Sequence, residues 1–284
     1  MRFKNLLNYK TLGVINMTPN SFSDHGASLK PEHFSQQLNS FLADPTIIID
    51  VGFESTAPMN QAISFEEELA RFELFLTASK DYSFINRFIS FDTYKIQNFK
   101  IMREKFLAIH PKAHVIFNDV SGVLNEELKE LLRSIHDEEF YYIYTFSHIP
   151  SRDLTLKHIN YINESQDVIE ACAEKMIQAY EWFKLINREE HLILDAGFGF
   201  SKTYEQNWEL MNRYGDLTQL LQQTNPEITN PHLIGLSKKS FLKKFLGTEG
   251  PTEELEDLHL KCLKKIQAQT NLPLLFRMHN PHIL

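Results

Sequence analysis

The feature that most constrains the fold is an alternation of short apolar runs with longer segments of helical spacing. Eight runs rich in β-branched and aromatic residues recur along the 284-residue chain. They are LGVIN ending at Asn16, TIIIDV at Val51, RFISFD at Asp92, HVIFND at Asp119, FYYIYTF at Phe146, HLILDAG at Gly197, HLIGLS at Ser237 and LLFRMH at His279. Several are apolar at consecutive positions, which is typical of parallel strands with both faces buried.

Segments with the apolar spacing of amphipathic helices lie between these runs. The clearest start at Phe65, Tyr94 and Asp167. Alternating βα units fit either a doubly wound sheet or a closed barrel, and eight units without a break favour the barrel. We therefore expect an α/β protein, a (β/α)8 TIM barrel that forms a single domain over residues 1–284.

The last βα unit is irregular. Only seven residues follow Arg277, so we expect the final helix after strand eight to be missing or truncated. The outer surface beside the first and last strands would then be less covered than usual. Phe245, Leu246 and the apolar face of a helix over residues 253–268 are either ordinary core or a contact with a partner subunit.

Composition excludes several classes of protein. A net charge of -8 argues against nucleic acid as a partner. The N-terminus lacks the apolar run of a secretion signal and no stretch is long enough to span a bilayer, so we expect no membrane partner. Cys172 and Cys262 lie in predicted helices without a metal-binding or redox pattern. We interpret them as reduced packing residues and expect a cytoplasmic protein.

Polar residues follow most of the predicted strands. Barrel enzymes place their active sites at the C-terminal ends of the strands, and the residues found there are Asn16, Asp50, Asp92, Asn118, Asp119, Ser147, His148, Asp195, Ser237, Lys239, Arg277 and His279. For Asp119 and Ser147, capping of the following turn is the favoured alternative. The carboxylates and the amide suit the hydrogen-bonding edge of a flat heterocycle, whereas the cationic residues suit an anion. A heterocycle carrying phosphate is the simplest ligand.

The sequences around these positions resemble the motifs of one enzyme family. INMTPNSFSDHG, IIIDVGFESTAP, SFDTYK, FNDVSG, LILDAGFGFSKTYEQN, GLSKKSFL and RMHN are each similar to dihydropteroate synthase motifs and occur in that family's order. The resemblance runs from Leu12 to Asn280. Its first motif is interpreted as strand one, followed by a loop that binds the phosphate end of the substrate.

The resemblance implies a transferase of folate biosynthesis. Members of that family join 6-hydroxymethyl-7,8-dihydropterin pyrophosphate to p-aminobenzoate and release pyrophosphate. Catalysis of this reaction must stabilise the leaving anion and the positive charge that develops on the pterin methylene. These two small molecules are the partners we expect, and homodimerisation near the end of the barrel, usual in that family, is a further expectation.

The resemblance also assigns roles to residues. Asp92, Asn118, Asp195 and Lys239 would surround the pterin. Asn16, Arg277 and His279 would hold the pyrophosphate, and Asn16 would also contact Mg²⁺, the one cofactor implied. One protein ligand is sufficient, since magnesium keeps several waters and is usually shared with substrate phosphates. The residues predicted to be catalytic are Asn16, Asp92, Asp195, Lys239, Arg277 and His279.

Two loops would order the second substrate. In the family, the loops that correspond to residues 18–24 and 53–58 close together over the aromatic amine. Phe22, Pro58 and Phe200 would line the amine's slot, Thr56 would also contact substrate, and Ser240 would receive the carboxylate at the start of the helix after strand seven. Ordinary packing is the alternative for Phe22 and Phe200.

The chain departs from the family pattern mainly in the second loop. GFESTAPMN has Ala57 where the family has arginine and the bulky Phe53 where it has a flexible glycine. The other departures are Asn20 for Asp, Ala196 for Pro, Ser201 for Gly and Asn280 for Asp. The residues expected around the pterin are retained, and the changes fall where the amine would bind.

Two further hypotheses remain open at the level of sequence. Ala57 and the short C-terminus are compatible with a non-catalytic pterin-binding paralogue that acts as a regulator or assembly partner. A methyltetrahydrofolate methyltransferase, another pterin barrel enzyme, is disfavoured by TPNSFSD and SKKS, which suit a pyrophosphate and a carboxylate.

Overall fold

The computed structural model describes residues 3–17, 31–55, 61–157, 161–248 and 250–284. Its strands form a closed, all-parallel barrel in which each pairs with the next and β8 pairs with β1. They are β1 Thr11–Asn16, β2 Ile47–Gly52, β3 Phe88–Asp92, β4 His114–Asp119, β5 Tyr141–Thr145, β6 Leu192–Asp195, β7 His232–Ile234 and β8 Leu274–Met278. The predicted TIM barrel is confirmed.

The helices lie between the strands in the order expected. They are α1 Pro31–Ala43, α2 Phe65–Ser79, α3 Ile96–Ile109, α4 Glu126–Ser134, α5 Val168–Lys184, α6 Tyr204–Asn212, α7 Tyr214–Thr224, α8 Ser240–Leu246 and α9 Glu253–Gln267. Local sequence explains several starts: the Ser64 and Asp167 side chains accept the first amides of α2 and α5, and Thr203 and Gln206 form a capping box at α6. After β8 the described chain forms only a 3-10 turn, Pro281–Ile283, as expected.

Alternation along each strand separates two cores. Inward side chains fill the lower half of the barrel with a cluster that contains Leu12, Ile48, Ile116, Ile143, Ile193, Leu233 and Leu275. The intervening positions face the helices and contribute to a larger outer core. Alternate residues of each strand point inward. The next inward residue after this apolar layer therefore lies at the C-terminal end of its strand.

The outer core is rich in phenylalanine beneath α2 and α3. The Phe91 ring lies edge-on to Phe72 and Phe106, with centroids 5.7 and 5.6 Å away. Phe53 belongs to this layer, is fully buried, and has its ring centroid 5.7 Å from that of Phe72. The bulky Phe53 side chain at the start of the second loop is therefore packed between the sheet and α2.

Both cysteines are buried and free, Cys172 in α5 and Cys262 in α9, as the absence of a pairing pattern predicted. Within the described ranges, no helix is both long and apolar enough to cross a membrane.

Candidate active site

Polar side chains at the C-terminal ends of the strands line one cavity. The residues around it are Val14, Asn118, Val120, Thr145, Asp195, Phe198, Phe200, Gly235, Ser237, Lys239, Arg277 and His279. Its volume is small, about 40 Å³. Six of the residues predicted from sequence to bind substrate therefore share one space, and a seventh, Asp92, is bonded to Arg277 in its wall.

Asp50 organises the floor of the site. It is fully buried, and its Oδ1 accepts hydrogen bonds from Ser90 Oγ at 2.6 Å and Asn118 Nδ2 at 3.1 Å. Its Oδ2 accepts from Arg277 Nε at 2.7 Å. A buried carboxylate with three donors is well satisfied, so Asp50 acts as a fixed anchor for side chains from three other strands.

Arg277 bridges two carboxylates. In addition to its bond to Asp50, its Nη2 donates to Asp92 Oδ2 at 2.6 Å. Burial opposes the charged guanidinium, but Asp50 and Asp92 outweigh it and raise the pKa of Arg277. Burial raises the pKa of Asp92 to about 7 against the opposing field of Arg277. The residue expected at the pyrophosphate thus touches one expected at the pterin.

Asp195 is fixed by a glycine turn. Its Oδ1 accepts from Gly197 N at 2.7 Å, and burial raises the pKa of the carboxyl. Gly197 has φ +70°, and a Cβ there would lie 2.0 Å from Phe146 O. Glycine is therefore required at this position, and the turn aims Asp195 into the cavity.

Lys239 lies over an aromatic ring in the same cavity. Its Nζ is 4.2 Å from the centroid of the Phe200 ring, and Phe200 packs with Tyr94 and Val120. Burial lowers the pKa of Lys239 to about 8, opposed by the Asp195 carboxylate. This is a cation held in an apolar setting, suited to an anionic or electron-rich ligand.

His279 and Ser237 form a hydrogen-bonded pair in the lining of the same cavity. Ser237 Oγ lies 2.9 Å from His279 Nδ1 and accepts a hydrogen bond from the His279 amide at 3.3 Å. Burial and the charges of Lys238 and Arg277 hold the pKa of His279 well below its usual value. A neutral imidazole is the favoured form of this residue in the unliganded site.

Asn16 ends β1 at the exposed rim of the barrel. Its position is tied to Asp92 through Gly52, since a Cβ added at Gly52 would lie 3.4 Å from Asn16 Oδ1 and 3.6 Å from Asp92 Oδ2. In the described residues there is no group of three or more His, Cys, Asp or Glu side chains that could hold a metal.

Other predicted residues lie elsewhere. Phe22, Thr56 and Pro58, together with Ala57 and the first loop, fall outside the described residues. Ser240 is exposed as the first residue of α8 and is not among the residues lining the cavity.

Sequence reasoning also misplaced one strand end. Ser147 and His148, expected in the ring, line a separate cavity beside α5, because β5 ends at Thr145 and the chain then leaves the barrel. Thr145 occupies the inward position that sequence reasoning missed. The alternation Tyr141, Ile143, Thr145 on the inward face would have identified it.

A buried ion cluster lies beside the second loop. Lys95 Nζ contacts the Glu54 carboxylate and lies 3.5 Å from Glu68 Oε2. Glu54 Oε1 also accepts from the Ile63 amide at 2.7 Å, which ties together the two described flanks of residues 56–60. Burial raises the pKa of Glu68.

Comparison with known proteins identifies the family of this chain. The model of the family described as pterin binding enzyme matches residues 12–270. The chain belongs to the pterin binding enzyme family.

Curated relatives include other members of this family. The chain is 30% identical over 250 residues to a folic acid synthesis protein of Schizosaccharomyces pombe, covering 86% of this chain and 31% of that protein. It is 29% identical to the dihydropteroate synthase of Clostridium beijerinckii, covering 86% of this chain and 78% of the relative. It thus spans about a third of the yeast protein and most of the bacterial one.

Solved structures share the barrel. A dihydropteroate synthase of Clostridium difficile, determined in the presence of pteroic acid, superposes with a TM-score of 0.73 at 23% identity, covering 96% of this chain and 91% of that chain. The Xanthomonas albilineans enzyme with 4-aminobenzoic acid gives 0.71 at 22% identity, with coverages of 96% and 88%. At this identity the likeness establishes the fold.

Proposed function

We propose that this chain is a dihydropteroate synthase, a transferase of folate biosynthesis. It joins 6-hydroxymethyl-7,8-dihydropterin pyrophosphate to p-aminobenzoate and releases pyrophosphate. The observation that carries the proposal is one cavity in which hydrogen-bond acceptors, Asn118 and Asp195, face cations, Lys239 and Arg277. This arrangement is complementary to a heterocycle with a donor edge and an anionic tail.

The chemistry required of the residues is electrostatic. Asp195 accepts from the amino and ring N–H donors of the pterin, and its negative charge favours the cation that develops as the C–O bond breaks. Arg277 and the neutral His279 donate to the departing pyrophosphate. The amine nitrogen then attacks the methylene carbon, forms the C–N bond and loses its proton to solvent, so no covalent intermediate with the protein is needed.

Mg²⁺ fits this donor set. Asn16 offers a hard oxygen at the rim, close to Asp92 through Gly52, and such oxygens suit magnesium when substrate phosphates and water complete its shell. We infer that Asn16 holds the ion. When bound, magnesium would neutralise charge on the pyrophosphate.

The cations of the cavity have protein partners that a ligand can replace. Lys239 Nζ lies over the Phe200 ring, and Arg277 Nη2 donates to Asp92. We propose that the bound substrate takes over part of these contacts, which preserves the pairing of buried charge.

The decisive experiment is turnover with both substrates and Mg²⁺. Pyrophosphate should appear only when p-aminobenzoate is present, and dihydropteroate should form in equal amount. Asp195→Asn should lower kcat/KM by about a hundredfold or more, while Asp216→Asn, on the exposed surface of α7, should leave it unchanged. Binding of the pterin pyrophosphate without release at any amine concentration would show a non-catalytic paralogue instead.

We also propose a cytoplasmic homodimer. The exposed Phe245 on α8 lies against Trp208 on α6, with ring centroids 4.9 Å apart, and forms an apolar patch suited to a second copy. Light scattering should give twice the chain mass for the wild type and a lower mass for Phe245→Asp. A monomeric wild type would overturn this part, and cell fractionation tests the compartment.

A further inference from the structure

Thr145 is an unexplained polar group in the wall of the site. It ends β5, is 1% exposed, and its hydroxyl has no hydrogen-bond partner among the described residues. Two other buried threonines are paired within their own turns: Thr155 Oγ1 donates to Arg152 O at 2.6 Å and Thr218 Oγ1 to Gly215 O at 3.0 Å. Because an unpaired buried hydroxyl is destabilising, its retention calls for a reason.

The position of Thr145 supplies that reason. Thr145 lies opposite Asp195 in the β5–β6 register, and on its other side it follows Ile143, which lies opposite Asn118. Thr145, Asp195 and Asn118 line the same cavity. The unpaired hydroxyl is therefore between the two acceptors that are expected to read the heterocycle.

The neighbours of Thr145 determine which ligand atom it meets. Asn118 donates its Nδ2 to Asp50, so its Oδ1 points away from that carboxylate, and Asp195 presents carboxylate oxygens. This wall is rich in acceptors, whereas Lys239 and Arg277 supply the donors of the cavity. A pterin turns its amino-bearing edge towards acceptors, and a hydroxyl in the middle of the wall can accept from the same group.

We propose that Thr145 is a specificity-determining residue whose hydroxyl accepts a hydrogen bond from the exocyclic amino group of the bound pterin. The proposal rests on the proposed function and adds a third contact to that edge. A ligand without the amino group would leave the hydroxyl unpaired, so Thr145 discriminates against it.

A binding comparison tests the role of Thr145. Calorimetry would measure Kd for 6-hydroxymethyl-7,8-dihydropterin pyrophosphate, without amine substrate, and for its analogue with methyl in place of the exocyclic amino group. Thr145→Val keeps the shape and removes the hydroxyl, so it should weaken the natural ligand about three- to tenfold and leave the analogue unchanged. Thr145→Ser should bind both within about twofold of wild type.

Thr11 provides a matched control. Its hydroxyl is also buried and without a partner among the described residues, but it begins β1 at the opposite end of the barrel. Thr11→Val should bind both ligands as wild type does, and the unfolding of each variant would be measured in denaturant.

Different results would overturn the role of Thr145 and the proposed function. Unchanged Kd values in Thr145→Val, or equal weakening of both ligands, would overturn the role of Thr145 while wild-type binding and turnover still supported the function. Failure of the wild type to bind the natural ligand would overturn the proposed function, and the role of Thr145 with it.

Discussion

Arg277 Nη2 donates to Asp92 Oδ2 at 2.6 Å while Nε of the same side chain donates to Asp50 at 2.7 Å. The two carboxylates have different surroundings: Asp50 accepts from two further side chains, whereas Asp92 Oδ1 is buried without a partner among the described residues. Asp50 is thus a structural anchor, and Asp92 has an acceptor left for a ligand.

This difference predicts opposite effects of two conservative substitutions. Asp50→Asn should lower the free energy of unfolding by about 3 kcal/mol or more, since the amide turns a donor towards one of the three side chains that donate to this buried carboxylate. Asp92→Asn should change stability by less than about 2 kcal/mol, because Arg277 keeps Asp50, yet reduce kcat/KM about a hundredfold. Urea unfolding and steady-state kinetics measure both, and similar stability losses in the two variants would contradict the assignment.

Deprotonation of Lys239 should lower kcat/KM at alkaline pH. Burial lowers its pKa to about 8, and the side chain is cationic only below that value, so anion binding should weaken as the pH rises through 8. The profile of kcat/KM for the pterin substrate reports groups of the free enzyme. Lys239→Arg, which stays charged, should remove this limb even if its maximal rate is lower; a limb that persists in the variant would assign it to another group.

The Glu54–Lys95–Glu68 cluster should be essential for stability. Lys95→Met leaves two buried carboxylates without their cation and should cost about 3–5 kcal/mol of unfolding free energy. Lys105 lies within helix α3, which Lys95 precedes, and pairs with Glu73 at an exposed position, so Lys105→Met should cost less than about 1 kcal/mol. Equal losses in chemical denaturation would show that burial of the cluster does not matter.

The turn that fixes Asp195 should depend on glycine. Gly197→Ala adds a Cβ against Phe146 O at a positive φ and should destabilise the protein by about 2 kcal/mol or more, with weaker pterin binding. At Gly250 a Cβ would meet no described atom within 4 Å, so Gly250→Ala should be close to neutral. Thermal unfolding and ligand titration would compare the two; wild-type binding by Gly197→Ala would contradict the role of the turn.

His232 should make the fold sensitive to acid. It is fully buried, its Nδ1 lies 2.8 Å from Tyr214 Oη, and burial lowers its pKa from 6.5 to about 4. Between these values the unfolded chain binds a proton that the folded chain does not, so stability is full above pH 6.5 and falls by about 3 kcal/mol as the pH drops to 4.

Comparison of two histidine variants would isolate this effect. His232→Gln should reduce the slope of the unfolding free energy with pH between 6.5 and 4, whereas His33→Gln, at an exposed position of α1, should retain the slope. An unchanged slope in His232→Gln would assign the acid sensitivity to other groups.

The sequence by itself determined the barrel and most of its polar ring. Short apolar runs rich in β-branched and aromatic residues, like helical spacing, are local properties, so the strands ending at Asn16, Asp92 and Asp119 were predicted to the residue. Strands five to eight end one to three residues before their predicted limits, because a residue such as Phe146 remains apolar after the chain has left the sheet and packs there instead.

Only the tertiary structure decided which polar residues of the ring contact each other. Arg277 meets Asp50, 227 positions away, because closure of β8 onto β1 brings the last strand to the first ones, and no local pattern encodes that distance. Closure likewise turned Thr145 into the cavity, put Ser147 outside it and buried Phe53 beneath α2. Sequence periodicity selects which side chains face inward; the closed sheet selects which of them touch.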